Sequence, residues 1–544
     1  LALTKLTSVD KSVAKKLLSE LPIQVSTVAE MKTKSYEVGQ VVETVGYYAE
    51  GDAGAAKYLV KAAQAFDGYG DHELANGTVA VLQSGRSINI AQMGAATTID
   101  NSPVLNAAIV LATPSATSSF SADDALLITV GSGVWEYSSQ ISFPAWVNIV
   151  GVGSGATTFR STTSSARFFF GGENRGGLSG GFTMDGNDIG SNIFVLEVCV
   201  EREFEDINVT KSVLDGIQLF GTQNCNFVNV HSQHNQRTNL LFDLGAGNNR
   251  FYGAELNRGG DYNVRYAQTG TSPVGAFSVP TDNRLYGPVI ERLGYDPAGN
   301  NPDSGINTVY HGAGRFNKIL DGNFSLNDIT AEKAMIKIAK DGAEPSLMFT
   351  LTNPTLSGVT ANTIMIDMDD STTLFIDGVV LAENMKTVFK CADTAAISGF
   401  HQIIGSFTNL FISKTATKSM SELIKTPRES GDRFTVQGAG EISSDVSVTG
   451  EAFARHELIG RGLRMGSGSA ATDVEIRRNS RFGVGGFEMA SDNTDNIVLT
   501  LGGVDVLVLT GTGAPVQAAV DGSIGIRKGD GAFYIRQAGA WVLK

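Results

Sequence analysis

Proline, cysteine and charge are all scarce in this chain. Of 544 residues only 13 are proline, 3 are cysteine and 18% are charged, against 63 glycines. Three scattered cysteines, Cys199, Cys225 and Cys391, exclude a disulfide framework and a cysteine-built zinc site. Cys199 and Cys225 lie in apolar strand-like runs, so buried free thiols are expected there. No long apolar run is present either. The longest uncharged stretch, Asn101 to Ala122, carries Pro103, Pro114 and many Ser/Thr, which excludes a membrane span. A basic excess is also missing. The net charge of −14 argues against a nucleic-acid backbone as the general partner. No signal peptide is visible at the start, and a first residue of Leu is compatible with upstream sequence having been removed.

What is present is a repeat. Four segments between Phe204 and Asp321 superpose: Phe204-Glu205-Asp206-Ile207-Asn208-Val209, Phe227-Val228-Asn229-Val230-His231-Ser232, Phe251-Tyr252-Gly253-Ala254-Glu255-Leu256 and Leu285-Tyr286-Gly287-Pro288-Val289-Ile290. They are spaced 23, 24 and 34 residues apart. A period in the twenties marks a solenoid, in which each repeat buries its apolar face only against its neighbours. The Asp/Asn/Gly position tolerates left-handed backbone and reads as a corner between two short strands. Beyond the corner Ile207, Val230, Ala254 and Pro288 point in, and Asn208, His231, Glu255 and Val289 point out. Many glycines, little charge and weak helical periodicity make the body all-β, a parallel β-helix with one coil per repeat.

Along the chain, Asp10 to Leu21 has the spacing of a short helix with one apolar stripe. Strands are expected around Val41–Val45, Lys57–Val60 and Thr78–Leu82, the last after an Asn76-Gly77 turn. The progression VGYYAEGDAGAAKYLV, LANGTVAVLQ, INIAQMGA resembles the lead-in module of bacteriophage tailspike proteins, which passes directly into a right-handed parallel β-helix of the pectate-lyase-like kind. The resemblance implies a capping helix next, and Ser102 (N-cap), Pro103, Val104, Leu105, Ala108, Ile109 and Leu111 match one. The usual Gly-Asp-Gly-x-x-Asp-Asp run before that helix is replaced by Gly94-Ala95-Ala96-Thr97-Thr98-Ile99-Asp100. NIVGVGSGATTFRS, 148–161, is similar to the early coils of the same family, and the likeness extends over about residues 25–325. The expected division is 1–35 N-terminal helix and neck, 36–90 β lead-in module, 91–415 β-helix with a capping helix at 102–113, and 416–544 linker and C-terminal β-rich trimerisation or carbohydrate-binding domain. The solenoid is expected to end near Phe411-Ile412.

The resemblance further implies a homotrimer on a phage tail, attached through its N-terminal region, that binds and depolymerises a bacterial surface polysaccharide, a capsule by resemblance. A polysaccharide lyase and a non-catalytic receptor-binding fibre are the rival readings, since fold alone does not select chemistry. No cofactor, metal, nucleic acid or membrane insertion is expected. Gly151-Val152-Gly153-Ser154-Gly155 reads as a tight solenoid turn, not a phosphate loop, because no Gly-Lys-Ser/Thr follows. Asp367-Met368-Asp369-Asp370 reads as a solvated turn in preference to a calcium loop.

Six of the 13 tyrosines, Tyr252, Tyr262, Tyr266, Tyr286, Tyr295 and Tyr310, crowd one stretch and are expected on the outer face, where amphipathic rings suit sugars. Arg258, Arg265, Arg284 and Arg292 add charge that could meet an acidic glycan. Two insertions, Gln268–Asn283 and Asp296–Ser304, are expected to gather on the binding face. Hydrolysis of a glycosidic bond needs two carboxyl groups. Glu255 and Glu291 are the expected pair, with Asp261, Asp296 and Asp303 in reserve; His231, Arg258, Tyr262, Arg265, Tyr286, Arg292, Tyr295 and Tyr310 are the expected substrate contacts. Glu255 stacks on Val289 of the next coil and Glu291 lies two residues on. Strands about 4.8 Å apart and a step of about 6.6 Å give a diagonal of about 8 Å, inside the range of an inverting pair.

Overall fold

The computed structural model describes residues 21–112, 126–171, 177–268, 279–293, 307–326, 333–340, 346–358, 363–398 and 402–414, and beyond these the strands from Ile424–Lys425 to Ala540–Leu543. The Asp10–Leu21 helix lies outside the described residues. The chain divides into two compact units, Leu1–Glu457 and Leu458–Lys544.

The first unit opens on a small sheet. Val41–Thr44, Ala56–Lys61 and Val79–Leu82 pair antiparallel, and Gly77 turns with φ +80. A helix, Ser102–Ala112, follows. Ser102 is its first residue; Asp100 Oδ1 accepts from Ser102 N at 3.0 Å, and Asn101 O accepts from Leu105 N at 2.9 Å. Val104, Leu105, Ala108 and Ile109 are buried, so the helix closes the apolar end of what comes next.

From Leu126 onward the strands pair in parallel, each with the strand one coil later, and form a parallel β-helix. The repeat alignment is its register: Phe204 pairs with Phe227, Phe227 with Phe251, Phe251 with Leu285 and Leu285 with Ile319. All five are at most 1% exposed, and the Phe227 and Phe251 rings stack at 4.1 Å. Each such side chain taken out of water contributes about 2–3 kcal/mol, which is how one coil holds the next. The corners are left-handed at Asp206 (φ +53), Asn229 (φ +53), Gly253 (φ +64), Gly287 (φ +57) and Asp321 (φ +53). The bend resets the alternation, so Ile207, Val230 and Ala254 are buried and Asn208, His231 and Glu255 face outward.

A second internal column is polar. Asn249 Nδ2 donates to Asn283 Oδ1 at 2.9 Å, and Asn283 Nδ2 to Asn317 Oδ1 at 3.0 Å. Cys225 N donates to Asn249 Oδ1, so the cysteines occupy the same column in earlier coils. Cys199 and Cys225 are buried free thiols with sulfurs 4.0 Å apart.

The ladder runs past the expected end near Phe411: Ile397 pairs with Ile424 and Gln402 with Thr435. The short strands at Ile424–Lys425 and Thr435–Gln437 therefore continue the solenoid and are not linker or next domain; strands of two and three residues carry too little alternation for the sequence to tell these apart. In the second unit, Ile497–Leu501 and Val504–Val508 form one antiparallel pair, and Ile524–Ile526 and Phe533–Gln537 form another.

Candidate functional site

Each coil presents two outward faces near the repeat, joined at a corner. The first face carries Glu255 on the strand Glu255–Gly259. Its register neighbours are His231 in the preceding coil and Val289 in the next, and Asn257 pairs with Glu291. Glu255 and Glu291 thus stand outward on adjacent coils, two residues out of step, as the sequence implied. His231 Nδ1 lies 3.4 Å from Glu255 Oε2, with the two side chains 38% and 44% exposed, and His231 Nε2 is 3.3 Å from Asn229 Oδ1. On the other side of the Gly253 and Gly287 bends, Tyr252 and Tyr286 stack at 4.8 Å with planes 9° apart.

The second face begins at Asp261. Gly259 and Gly260 are required here: a Cβ at either would lie 2.0 Å from Tyr262 O or 1.9 Å from Gln236 O. The tight turn half-buries Asp261, and burial pushes its carboxyl above the ordinary range, against the pull of Arg237 and Arg265. Arg237 is itself held in two hydrogen bonds by the buried Asp215, with Nε to Oδ1 at 2.8 Å. The Arg265 guanidinium lies 5.3 Å from the centroid of the Tyr262 ring and 5.8 Å from that of Tyr310. Asp261, Arg265, Tyr262 and Tyr310 are therefore one cluster, separated by the corner from the Glu255 face.

Arg258 forms that corner. It is left-handed (φ +53) and exposed, as are the chain positions beneath it, His234 (φ +57) and Lys211 (φ +58), in backbone conformation. Burial, with Arg258 and Lys211 nearby, lowers the His234 imidazole pKa.

Two expectations about tyrosines need correction. Tyr266 is fully buried and stacks on Phe242 at 4.7 Å; it is core, because its position alternates in step with Val264. Tyr262 is 9% exposed, so most of its ring is covered by its neighbours and little of it faces solvent. Asp296, Asp303, Tyr295, the side chain of Arg292 and most of both insertions lie outside the described residues. The Gly151–Gly155 turn is satisfied internally: Ser154 N and Oγ donate to Asp206 at 2.9 and 2.6 Å, so a carboxylate of the chain itself fills the loop. Asp367 and Asp369 are engaged by Lys337 at 2.8 and 2.6 Å and by Lys414. A Gly-x-Ser-x-Gly spacing at 177–181 lies within the solenoid ladder, and its Ser179 is fully buried beneath Arg202, whose Nη2 donates to Ser179 Oγ at 3.1 Å. It has no nucleophile geometry.

Sequence reading missed Arg250 and Lys318, which share a column with Arg284. The signal was there, since both stand 34 residues from Arg284, the offset that relates Phe251, Leu285 and Ile319. Arg237 was also missed, although it stands 22 residues, about one coil, from its partner Asp215.

No family model and no curated protein matches the chain. Solved structures do. The tailspike gp42 of Acinetobacter phage vb_AbaP_AS12 is 11% identical, with 96% of this chain and 94% of that one aligned at a TM-score of 0.49. The tailspike gp49 of Acinetobacter baumannii bacteriophage Fri1, a capsular polysaccharide depolymerase, is 12% identical over 96% and 95% at 0.46. ORF18 of Geobacillus virus E2 is 14% identical over 96% and 98% at 0.44.

Proposed function

We propose that this chain is a phage tailspike that binds a bacterial surface polysaccharide, a capsule, and cleaves it by hydrolysis, as a homotrimer attached to the tail through its N-terminal region. The lead-in residues, capping helix and early coils support the tailspike reading. One observation carries the chemistry: the register sets Glu255 and Glu291 outward on adjacent coils, two residues apart. The step of about 6.6 Å along the strand and about 4.8 Å between strands separates them by about 8 Å. That spacing leaves room for a water between an acid and a base, the arrangement of an inverting glycosidase. Glu255 has His231 beside it, and Glu291 faces solvent one coil on. Asp261 is the alternative acid, because a carboxyl that stays protonated to higher pH can protonate a leaving oxygen.

A lyase is the second reading. His231 against Glu255 is a base held by a carboxylate, and Tyr286 beside Arg284 pairs a phenol with a cation, as proton abstraction next to a sugar carboxylate requires. Purified protein mixed with host capsule separates the readings. A fall in viscosity with saturated products by mass spectrometry supports hydrolysis; ultraviolet absorbance from an unsaturated uronate supports the lyase; unchanged viscosity leaves a binding fibre and sinks both.

A further inference from the structure

On the face just before the Gly253 and Gly287 bends, two outward columns run side by side along the solenoid. One consists of Arg250, Arg284 and Lys318 in successive coils. The other, two residues further along each strand, consists of Tyr252, Tyr286 and Leu320. Three cations at successive coil spacings, about 4.8 Å apart, repel one another and repay that cost only if an anion lies across them. One carboxylate already answers: Asp282 accepts from Arg284 Nε and Nη2 at 3.0 and 2.8 Å. Among the described residues Arg250 and Lys318 have no ion-pair partner. The tyrosine rings stack on each other, so they turn edges and phenol hydroxyls outward and offer hydrogen bonds in place of a flat platform. In the two coils before Arg250 the same columns hold Glu203 then Asn226, and Glu205 then Val228. Negative charge marks one end of the array.

We propose that this double column is a binding track for a carboxylate-bearing glycan whose chain runs along the solenoid axis, from the coil of Arg250 to that of Lys318 and away from Glu203 and Glu205. The coil rise is close to the length of one sugar ring in an extended chain, so successive carboxylates meet successive cations. The track runs parallel to the Glu255 column, on the other side of the Gly253 bend. The inference rests on the polysaccharide reading and narrows it to acidic polymers.

The test is affinity electrophoresis of the full chain in gels cast with polygalacturonate or with its carboxyl-reduced, neutral counterpart. Retardation by the polyuronate alone is expected, and it should weaken as salt rises. The double variant Arg250→Gln/Lys318→Gln should bind about tenfold more weakly. The swap Arg250→Lys/Lys318→Arg should keep binding, which separates lost charge from lost packing. Equal retardation in both gels, no retardation by the polyuronate, or a double variant that binds like the parent overturns the track. A chain that retards on polyuronate yet leaves every capsule uncut overturns the depolymerase reading and not the track. A chain that cuts native and carboxyl-reduced capsule alike does the reverse.

Discussion

His231 stands one coil before Glu255 and directs its Nδ1 to Glu255 Oε2 at 3.4 Å. The contact sets the imidazole beside the Glu255 carboxylate on the outer face, opposite the side on which Glu291 stands one coil later. A carboxylate that acts at a single atom of a substrate benefits from a neighbour that narrows its orientations.

Glu255→Gln and Glu291→Gln, made separately, should each lower depolymerisation by about a hundredfold or more while leaving melting temperature unchanged, because both side chains face solvent and only proton transfer or charge is removed. His231→Gln should cost less, as it removes the holder and not the carboxylate. Viscometry on host capsule with circular dichroism as the folding control decides it: near-native turnover in both glutamate variants places the chemistry elsewhere, Asp261 first.

Tyr286→Ala and Tyr252→Ala should weaken polysaccharide binding with little change in melting temperature, whereas Tyr266→Ala should cost about 3–5 kcal/mol of stability. The contrast follows from burial. Tyr252 is 38% exposed and Tyr266 not at all. Thermal melts and a binding titration on the three proteins separate the two roles, and a Tyr266→Ala protein as stable as its parent would contradict the core assignment.

The coils from Phe204 to Leu285 were legible because one large apolar side chain per coil must sit on the next, and because the left-handed corner of this face is occupied by Asp, Asn or Gly, the residues that adopt it most readily. Those two constraints fix register, and register alone set Glu255 against Val289 and Glu291 beyond it. Tyr266 was misplaced for the converse reason: aromatic residues fill a coil interior as readily as they meet sugar, and composition does not say which side of a strand they take. Asp261, Arg237 and Asp215 come together one coil apart, but polar residues on the outer face vary from coil to coil, so their spacing does not stand out as the apolar column does. Past Gly312 the spacing is uneven, with Ile319 pairing to Leu351 and Leu351 to Ile376, and the end of the solenoid became unreadable where strands shrink to two or three residues.

Asn283→Ala should destabilise the protein by about 3 kcal/mol. The side chain donates to Asn317 Oδ1 and Ala246 O, and its Oδ1 accepts from Asn249 N and Nδ2, all out of contact with solvent. Alanine takes the Oδ1 acceptor from the buried Asn249 N and removes one of two hydrogen bonds at each of Asn249 Nδ2, Asn317 Oδ1 and Ala246 O, which keep Thr222 O, Asn283 N and Thr281 N. Denaturant melts should show the loss, with no change in the slope that reports exposed surface. A shift below about 0.5 kcal/mol would mean that water replaces the ladder.

Acid should destabilise the fold through two buried imidazoles. His311 lies between the Tyr266 and Phe349 rings at 4.9 and 4.6 Å, and Asn317 Nδ2, the end of the asparagine ladder, is 3.1 Å from its Nε2. A neutral ring can accept that hydrogen bond; a protonated one cannot. Burial lowers its pKa to about 3, and burial with nearby Lys32 lowers that of His72 to about 4. The unfolded chain binds these protons near pH 6.5, while the folded chain refuses them until about pH 3 to 4. Between those limits the unfolded state holds more protons, so stability is present in full above pH 6.5 and is lost as pH falls, by up to about 1.4 kcal/mol per pH unit for each histidine. Carboxylates add their own acid loss, so the comparison must be internal. His311→Gln should be less stable than the parent at pH 7.5, and the gap should narrow steadily by pH 4.5, as measured by urea midpoints across the range. If the two proteins lose stability in parallel between pH 6.5 and 4.5, His311 is not the group that the acid titrates.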